Sequence, residues 1–223
     1  MSAIRVLVVD DQALVRAGFR MILEAEPDLE VVAESADGLE AVADVSSYHP
    51  AVVLMDVRMP NLDGIAATRR ILESGSTARI LMLTTFDMDE YIYDALRAGA
   101  SGFLLKDVPP ERLVAGIRAV ASGEALLAPS VTRRLIETFV QRKPVRDLPE
   151  SLNDLTARER EVLELMARGL TNSEIAEAFV LSETTVKTHV AHVLDKLDLR
   201  DRIQAVVFAY ECGLVRPGEH TNG

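Results

Sequence analysis

The sequence predicts two successive domains. The first is a doubly wound α/β domain with a five-stranded parallel sheet, and the second is an all-α domain of four helices. Short apolar runs alternate with helix-period stretches throughout residues 1–122, whereas residues 151–212 contain helix-period stretches and no plausible strand. Alternation is typical of parallel α/β folds, and consecutive helical patterns are typical of all-α domains.

Apolar runs rich in Val, Ile and Leu predict the strands, because strands buried on both faces of a parallel sheet are apolar along their whole length. The predicted strands are 4–9, 31–34, 51–55, 80–84 and 102–105. Helix-period stretches follow them at 13–24, 38–46, 64–73, 89–98 and 110–121. In a doubly wound fold of this kind, function is located at the carboxyl ends of the strands.

A linker is predicted between the two domains. Residues 143–149 are polar and contain Pro144 and Pro149, a composition that is common in linkers. Apolar residues within 131–142 recur at helical spacing, so we expect the linker to begin with a helix. The predicted divisions are a domain at 1–122, a linker at 123–150, a domain at 151–216 and a disordered tail at 217–223.

The composition excludes several classes of protein. With 48% hydrophobic and 26% charged residues among 223, the chain has the balance of a globular protein and is not disordered throughout. Its single cysteine, Cys212, excludes a disulfide framework and a multi-cysteine zinc site. Because the sequence contains no long uncharged apolar segment and no signal-peptide layout, we expect a cytoplasmic protein without a membrane partner.

The negative charge is concentrated in the first domain. The formal net charge is −11, which at first sight argues against nucleic acid as a partner, because phosphates attract Lys and Arg. Residues 1–122 carry −8 of this charge and residues 151–223 carry −4. Any affinity of the second domain for DNA must therefore come from a local basic patch, from helix N-termini and from dimerisation.

Polar side chains stand at the carboxyl ends of the predicted strands. Three are carboxylates, one is a hydroxyl and one is an ammonium group: Asp10, Asp11, Asp56, Thr84 and Lys106. Such carboxylates suit Mg²⁺, a lysine can hold a phosphoryl oxygen, and an aspartate beside Mg²⁺ can attack phosphorus. A single aspartate here would be interpreted as an ordinary turn residue, and only the expected convergence of all five groups favours a site.

Four segments resemble the receiver domain of bacterial response regulators, and this resemblance implies a flavodoxin-like fold with the strand order 2-1-3-4-5. These segments are residues 8–11, 55–64, 83–85 and 103–106, and the resemblance extends over residues 3–122. It implies that Asp56 is the phosphoacceptor. It also implies a Mg²⁺ site made of carboxylates and one backbone carbonyl, from Asp10, Asp11, Asp56 and Arg58.

The same resemblance implies roles for three further residues. Lys106 holds the phosphoryl oxygens, and Thr84 hydrogen-bonds to the phosphoryl group once it is attached. Phe103 stands where the family carries an aromatic switch residue, which is Tyr in many relatives. Because Phe lacks the hydroxyl, its switch role depends on packing alone, and a plain core residue is the alternative.

Capping signals mark the helices of the second domain. Two Thr-x-x-Glu capping boxes, at 156–159 and 171–174, each precede an apolar helical period, and Ser182 caps a third helix. The predicted helices are one that stops at Gly169, then 172–178, 183–197 and 201–211, with a turn at 179–181. A short helix, a tight turn and a longer helix form the helix-turn-helix layout.

The exposed face of the 183–197 helix carries small polar and basic residues, which suit phosphates, guanine acceptors and the thymine methyl. The candidate DNA contacts on this face and in the adjacent basic patch are Thr184, Thr185, Lys187, Thr188, His192, Lys196 and Arg202. The alternative is a solvated face of a helical bundle that docks to another protein.

Residues 155–159, 169–176 and 184–190 resemble the LuxR-type DNA-binding domain, over residues 151–215. Together with the receiver-like domain, they make the chain similar to response regulators of the NarL/FixJ type. Two positions depart from the family pattern. Ala191 stands where several relatives place a lysine, and Asp198 stands where glycine is common.

The resemblance implies a transcription regulator in two-component signalling rather than an enzyme. A sensor histidine kinase phosphorylates Asp56 with Mg²⁺, and the phosphorylated protein dimerises and binds promoter DNA, with RNA polymerase as a further partner. One alternative is a Mg²⁺-dependent phosphohydrolase, although Val57 and Arg58 follow Asp56 and leave no Asp-x-Asp pair. Another is a DNA-binding protein whose first domain never receives phosphate.

Overall fold

The computed structural model describes residues 3–84, 89–123 and 149–215. The chain divides into two units, Met1–Ala128 and Pro129–Gly223. The helix predicted at 131–142 and the tail predicted at 217–223 lie outside the described residues. Within the described ranges, every helix is too short or too polar to cross a membrane.

One five-stranded sheet forms the centre of the first unit. All of its strand pairs are parallel and their order is β2-β1-β3-β4-β5, which confirms the predicted doubly wound, flavodoxin-like topology. The strands are β1 (Ile4–Val9), β2 (Leu29–Ser35), β3 (Val52–Asp56), β4 (Arg79–Thr84) and β5 (Gly102–Leu105).

Strand pairing decides the strand ends that the sequence misplaced. The strand predicted at 31–34 extends to Leu29–Ser35, because β2 pairs with β1 along the whole length of β1. The strand predicted at 51–55 is shifted by one residue and includes Asp56, which lies opposite Leu83. β4 likewise begins one residue early, at Arg79. These ends depend on the partner strand and not on the local apolar pattern.

Five helices connect and follow the strands: α1 (Ala13–Glu24), α2 (Gly38–Tyr48), α3 (Gly64–Glu73), α4 (Asp89–Arg97) and α5 (Pro110–Ala121). α1, α3 and α5 have the predicted bounds. α2 continues past the predicted end at residue 46 to Tyr48, and His49, with a φ of 46°, ends it by donating its amide to the Val45 carbonyl at 3.0 Å. α4 ends one residue before the predicted 98, and Gly99 follows with a φ of 105°.

The core of the first unit lies on the central strands. β3 is buried along its whole length, and β1 and β4 are buried from Val6 and Ile80 onwards. α1 and α5 cover one face of the sheet through Phe19, Leu23, Leu113 and Ile117. Burial of each such side chain contributes about 1.5–3 kcal/mol. This packing fixes the strands, and it therefore fixes the edge at which their carboxyl ends meet.

The second unit is all-α in its described residues. A 3₁₀ helix, Glu150–Asp154, which the sequence did not predict, precedes four α-helices: α6 (Ala157–Ala167), α7 (Asn172–Phe179), α8 (Glu183–Lys196) and α9 (Arg202–Glu211). Both predicted capping boxes are present, and the Ser182 hydroxyl accepts from the Thr185 amide at 3.1 Å. The predicted helix-turn-helix layout is thereby confirmed in α7 and α8.

Several predicted helix ends are caps in the structure. α6 ends at Ala167, and Gly169, the predicted stop, has a φ of 87°. α7 extends one residue past 178, to Phe179. Leu197 follows the last residue of α8, and Asp201 precedes α9, where its carboxylate accepts from two backbone amides. Residues at helix ends are chosen for the hydrogen bonds of the free backbone groups there, so the spacing of apolar residues does not predict them.

Each of the four helices contributes fully buried apolar side chains. Among them are Val162, Leu163, Met166, Ile175, Val186, Val193 and Ile203. α6 packs against both α8 and α9, and α7 packs against α8. The outer face of α8 is left exposed by this packing.

Candidate functional site

The carboxyl ends of β1, β3, β4 and β5 surround a cavity of about 270 Å³. The residues that line it are Asp11, Gln12, Asp56, Val57, Arg58, Thr84 and Lys106. Asp10, which follows β1, lies immediately behind it and contacts Lys106. The five groups that the sequence predicted to converge are therefore brought together.

The three aspartates form a cluster of oxygen ligands. One carboxylate oxygen from each of Asp10, Asp11 and Asp56 lies within 4.8 Å of the others. Asp10 is fully buried and Asp56 is 6% exposed, whereas Asp11 is exposed to solvent. The cluster thus extends from the interior to the mouth of the cavity.

Lys106 bridges the two buried carboxylates. Its Nζ lies 2.6 Å from Oδ2 of Asp10 and 3.0 Å from Oδ2 of Asp56. Burial raises the pKa of Asp56, although the hydrogen bond and the charge of Lys106 offset part of the rise. Burial by itself lowers the pKa of Lys106, but the bonds and charges of both aspartates outweigh it, so that pKa is raised overall.

The chemistry of these groups fits Mg²⁺. Three carboxylates share one ammonium group, so two negative charges remain to be compensated at a site made of oxygen atoms. Mg²⁺ prefers carboxylate and water ligands, and a divalent charge matches the deficit. Asp10, Asp11 and Asp56 are the residues that would hold the ion.

Arg58, Thr84 and Phe103 differ in their relation to the cavity. Arg58 lines it, but its guanidinium donates to the Tyr91 hydroxyl at 3.1 Å and so points towards α4. Thr84 also lines it and is 3% exposed, and its carbonyl accepts from the Lys106 amide at 2.7 Å. Phe103 is buried within β5, opposite Met82, and does not line the cavity.

Gly64, the first residue of α3, lies against the backbone of Asp56 and was not identified as a site residue from the sequence. A Cβ at Gly64 would lie 1.9 Å from the Asp56 carbonyl oxygen. The Gly64 amide also donates to the Val57 carbonyl at 3.0 Å. Only glycine allows α3 to begin this close to the end of β3. The signal in the sequence was a glycine at the first position of a predicted helix.

The outer face of α8 carries most of the predicted DNA contacts. Its residues Thr184, Thr185, Lys187, Thr188 and His192 are all exposed. Lys187 forms an ion pair with Glu183 at 3.3 Å, and both side chains remain more than half exposed. Exposed pairs of this kind contribute little, so the Lys187 ammonium remains available to a phosphate.

Lys196 and Arg202 are held by partners within the second unit. Lys196 donates to Oε2 of Glu159 at 2.7 Å, and this bond is the main reason that the pKa of the buried Glu159 is lowered to about 2. Arg202 donates to Oδ1 of Asn172 at 2.8 Å and to the Leu170 carbonyl. Burial lowers the pKa of Arg202 to about 10, so it keeps its charge at neutral pH. These two cations connect helices, and His192 of α8 also places Nδ1 3.7 Å from Oε1 of Glu159 on α6.

Asp198, which stands where glycine is common in the LuxR-type pattern, has a backbone conformation that explains the preference for glycine. Asp198 has a φ of 52°, in the left-handed region that glycine occupies without cost and that Asp tolerates. The turn after α8 is retained, with the Leu199 amide donating to the Leu194 carbonyl at 2.8 Å.

Comparison with known proteins identifies a family for each of the two units. Residues 6–118 match the family described as the response regulator receiver domain. Residues 153–209 match the family described as bacterial regulatory proteins, luxR family. The chain belongs to the NarL/FixJ-type response regulators. It is therefore a DNA-binding response regulator and a transcriptional regulator.

Similar proteins align with this response regulator over nearly its whole length. It is 45% identical over 213 residues to the uncharacterized transcriptional regulatory protein YxjL of Bacillus subtilis (strain 168), covering 96% of this chain and 98% of that one. Among solved structures, the response regulator ChrA of a heme-sensing two-component system is 37% identical, with a TM-score of 0.53 and coverage of 96% and 100%. Salmonella typhimurium RcsB, whose structure concerns conformational dynamism for DNA interaction, is 25% identical, with a TM-score of 0.56 and coverage of 92% and 97%.

Proposed function

We propose that this response regulator is switched by transfer of a phosphoryl group to Asp56 from a histidine of a sensor kinase. The observation that carries the proposal is the convergence of Asp56, Lys106 and the acid pair Asp10 and Asp11 around one cavity. The similar response regulator ChrA belongs to a heme-sensing two-component system, which supports a kinase as the partner.

In the proposed transfer, Asp56 is the nucleophile and the neighbouring cations stabilise the phosphoryl group. An Asp56 oxygen attacks phosphorus, the new P–O bond forms, and the bond from phosphorus to the histidine nitrogen breaks, with the electron pair going to that nitrogen. When bound, Mg²⁺ supplies a positive charge that stabilises the phosphoryl oxygens. Lys106 holds the phosphoryl oxygens through its ammonium group, with Asp10 keeping it in place.

Thr84 and Phe103 connect the phosphoryl group to the rest of the receiver domain. The Thr84 side chain, at the end of β4, hydrogen-bonds to the attached phosphoryl group. Phe103, buried on the neighbouring β5, repacks as Thr84 moves. Because Phe lacks a hydroxyl, this coupling works through packing, in a receiver that has two states.

On the DNA side, the exposed face of α8 enters the major groove. Thr184, Thr185, Lys187, Thr188 and His192 contact base edges and phosphates. The second domain carries a net charge of −4, so one copy binds weakly and binding depends on salt. Phosphorylation promotes a homodimer whose two α8 helices reach half-sites about one helical turn apart, roughly 34–36 Å.

The proposed function also implies a cellular location and a further partner. A protein that acts on promoter DNA works in the cytoplasm and in the company of RNA polymerase. No enzymatic turnover is required of it, because phosphate is received from a kinase and serves as a signal. A phosphohydrolase is not favoured, since the residue two positions after Asp56 is Arg58, whose guanidinium is bonded to Tyr91.

The experiment is labelling of the full chain with a small phosphodonor, such as phosphoramidate, in the presence of Mg²⁺. We expect one phosphoryl group per chain, lost in Asp56→Asn and retained in Asp107→Asn, a matched change at an exposed aspartate beside Lys106. Labelling of Asp56→Asn at the wild-type level would overturn the proposal. Steady multiple turnover of a phosphomonoester would favour the phosphohydrolase.

A second measurement tests the coupling to DNA. Light scattering and DNA binding are compared with and without beryllofluoride, a phosphoryl mimic. We expect a dimer and tighter binding only with the mimic, and neither change in Asp56→Asn. Unchanged mass and unchanged DNA affinity in the wild type would contradict the link between Asp56 and dimerisation.

A further inference from the structure

Arg16 is bonded directly to the turn that carries the acid pair. It lies in the first half of α1, and its Nη1 donates to the backbone carbonyl of Asp10 at 2.7 Å. Its side chain is only 17% exposed, and it is not among the residues that line the cavity. It therefore contacts the backbone of the site from behind, without facing a phosphoryl group.

A carboxylate on the edge strand holds Arg16 in this position. Nε of Arg16 lies 3.5 Å from Oε2 of Glu34 in β2, and Arg20, one turn further along α1, also pairs with Glu34. The guanidinium of Arg16 is thus fixed on one side by a carboxylate and on the other by a carbonyl. Its planar arrangement of donors suits such a bridge better than a flexible ammonium group does.

The Asp10 carbonyl belongs to the peptide that joins Asp10 to Asp11. Because a peptide unit is planar, a bond that fixes this carbonyl also fixes the direction in which the chain enters Asp11. Other bonds fix the residues on either side of this peptide: the Asp10 amide donates to the Ser35 carbonyl at 3.2 Å, and the Asp10 carboxylate pairs with Lys106 at 2.6 Å. Gln12, which precedes α1, makes no side-chain cap, and its amide is used by Oδ1 of Asp10 at 3.0 Å.

We infer that Arg16 is a positioning residue for the cation site, acting through the Asp10–Asp11 peptide, with Glu34 as the residue that orients it. The inference rests on the proposed function, because it assumes that the acid cluster binds Mg²⁺. Arg16 touches neither the ion nor the reacting atoms. Its role is to keep the carboxylates of Asp10 and Asp11 aimed at the same point as that of Asp56.

If Arg16 acted only through its charge, its replacement would change Mg²⁺ affinity in the opposite direction to that expected for a positioning residue. Removal of a cation beside three carboxylates increases the local negative charge, so electrostatics alone would tighten Mg²⁺ binding. Loss of a partner that orients metal ligands instead weakens binding, typically about 10–100-fold. The direction of the change in affinity therefore separates the two explanations.

The experiment is calorimetric titration of the unphosphorylated full chain with Mg²⁺, which reports binding without any phosphoryl transfer. Arg16→Met removes the donors and the charge but keeps an unbranched stem with similar helix propensity. Arg20→Met is the matched control, because Arg20 loses the same charge on the same helix and bonds to Glu34 and Glu24 but not to Asp10. We expect Mg²⁺ affinity to fall at least about tenfold in Arg16→Met and to stay within about twofold of wild type in Arg20→Met.

Each other outcome has a definite meaning. Equal affinities of Arg16→Met and Arg20→Met, or tighter binding in Arg16→Met, would overturn the inference and leave the proposed function intact. Wild-type protein that binds no Mg²⁺ would instead overturn the cation part of the proposed function. If circular dichroism shows that Arg16→Met is unfolded, Arg16→Lys decides, because it keeps the charge but loses the planar set of donors; weaker Mg²⁺ binding is expected, and unchanged binding counts against the inference.

Discussion

Replacement of Gly64 by alanine is expected to displace Asp56 and to slow its phosphorylation. The new Cβ would lie 1.9 Å from the Asp56 carbonyl oxygen and 3.0 Å from both the Asp56 carbonyl carbon and Met55 Cγ. A carbonyl at the end of a central, fully buried strand cannot move as the tip of a flexible side chain can. α3 and β3 must therefore separate by roughly 1 Å, because packed interiors leave no free volume to absorb the methyl group.

The size of the effect follows from this displacement. Overpacking of a well-filled site costs about 1–3 kcal/mol of stability. Misplacement of a reacting group by about 1 Å reduces rate by about 100-fold. We expect Gly64→Ala to lower the urea midpoint of unfolding, followed by far-UV circular dichroism, and to slow labelling by phosphoramidate by one to two orders of magnitude, as the roughly 1 Å shift implies.

Gly18 provides the matched control. It lies within α1, and a Cβ there meets no atom within 4 Å. Gly18→Ala is therefore expected to stabilise the protein by about 0.5–1 kcal/mol and to leave the labelling rate unchanged, because alanine is the better helix former. Wild-type stability and wild-type labelling rate in Gly64→Ala would refute the reasoning about the β3–α3 contact.

Three further predictions concern the second domain. Val180, which is 92% exposed and has a φ of 55°, is strained as a β-branched residue, so Val180→Gly should raise the free energy of unfolding by about 0.5–1 kcal/mol in urea denaturation. Glu159 has a pKa of about 2 against an ordinary value of 4.5, so it stabilises the fold above pH 4.5 and loses this effect as pH falls towards 2. In thermal melts, the melting temperature of Glu159→Gln should therefore fall less between pH 4.5 and pH 2 than that of the wild type. Lys187→Ala should weaken binding to all DNA sequences and reduce the salt slope by about 1, measured by fluorescence anisotropy, whereas Lys196→Met should mainly lower thermal stability.

Each of these predictions has an outcome that contradicts it. An unfolding midpoint for Val180→Gly at or below that of wild type would mean that the left-handed backbone is not costly there. Parallel pH profiles for wild type and Glu159→Gln would mean that the Lys196 bond does not stabilise the fold. An equal loss of salt slope in Lys187→Ala and Lys196→Met would mean that Lys196 also releases its internal partner and contacts phosphate.

The sequence predicted most of the site in the first domain because the relevant residues are tied to strand ends. Asp10, Asp56 and Lys106 each stand next to an apolar run that is recognisable by itself, and parallel strands bring such ends to one edge. Three helix bounds are confirmed by the structure because they too follow from local periodicity, whereas the confirmed strand order was implied by the resemblance to receiver domains. Local pattern and global fold agree at these positions.

In the second domain, local sequence could not separate exposed cations from cations that are paired within the chain. Lys187 and Lys196 have the same charge and lie on the same helix, so the sequence treated both as DNA contacts. Only the structure distinguishes them, because Lys196 reaches a carboxylate that is 37 residues away along the chain. Arg202 similarly bonds to Asn172, which is 30 residues away. A local window of sequence holds no information on such partners.

The sequence by itself determined the fold class, the family and the identity of the groups at the strand ends, since periodicity and residue type are local properties. The tertiary structure decided which of those groups are buried, which cations are paired within the chain, and which residues support the site from behind. Gly64 and Arg16 belong to the last group. Their importance depends on the approach of α3 to β3 and on the contact of α1 with the β1 turn, and these distances exist only after the chain has packed.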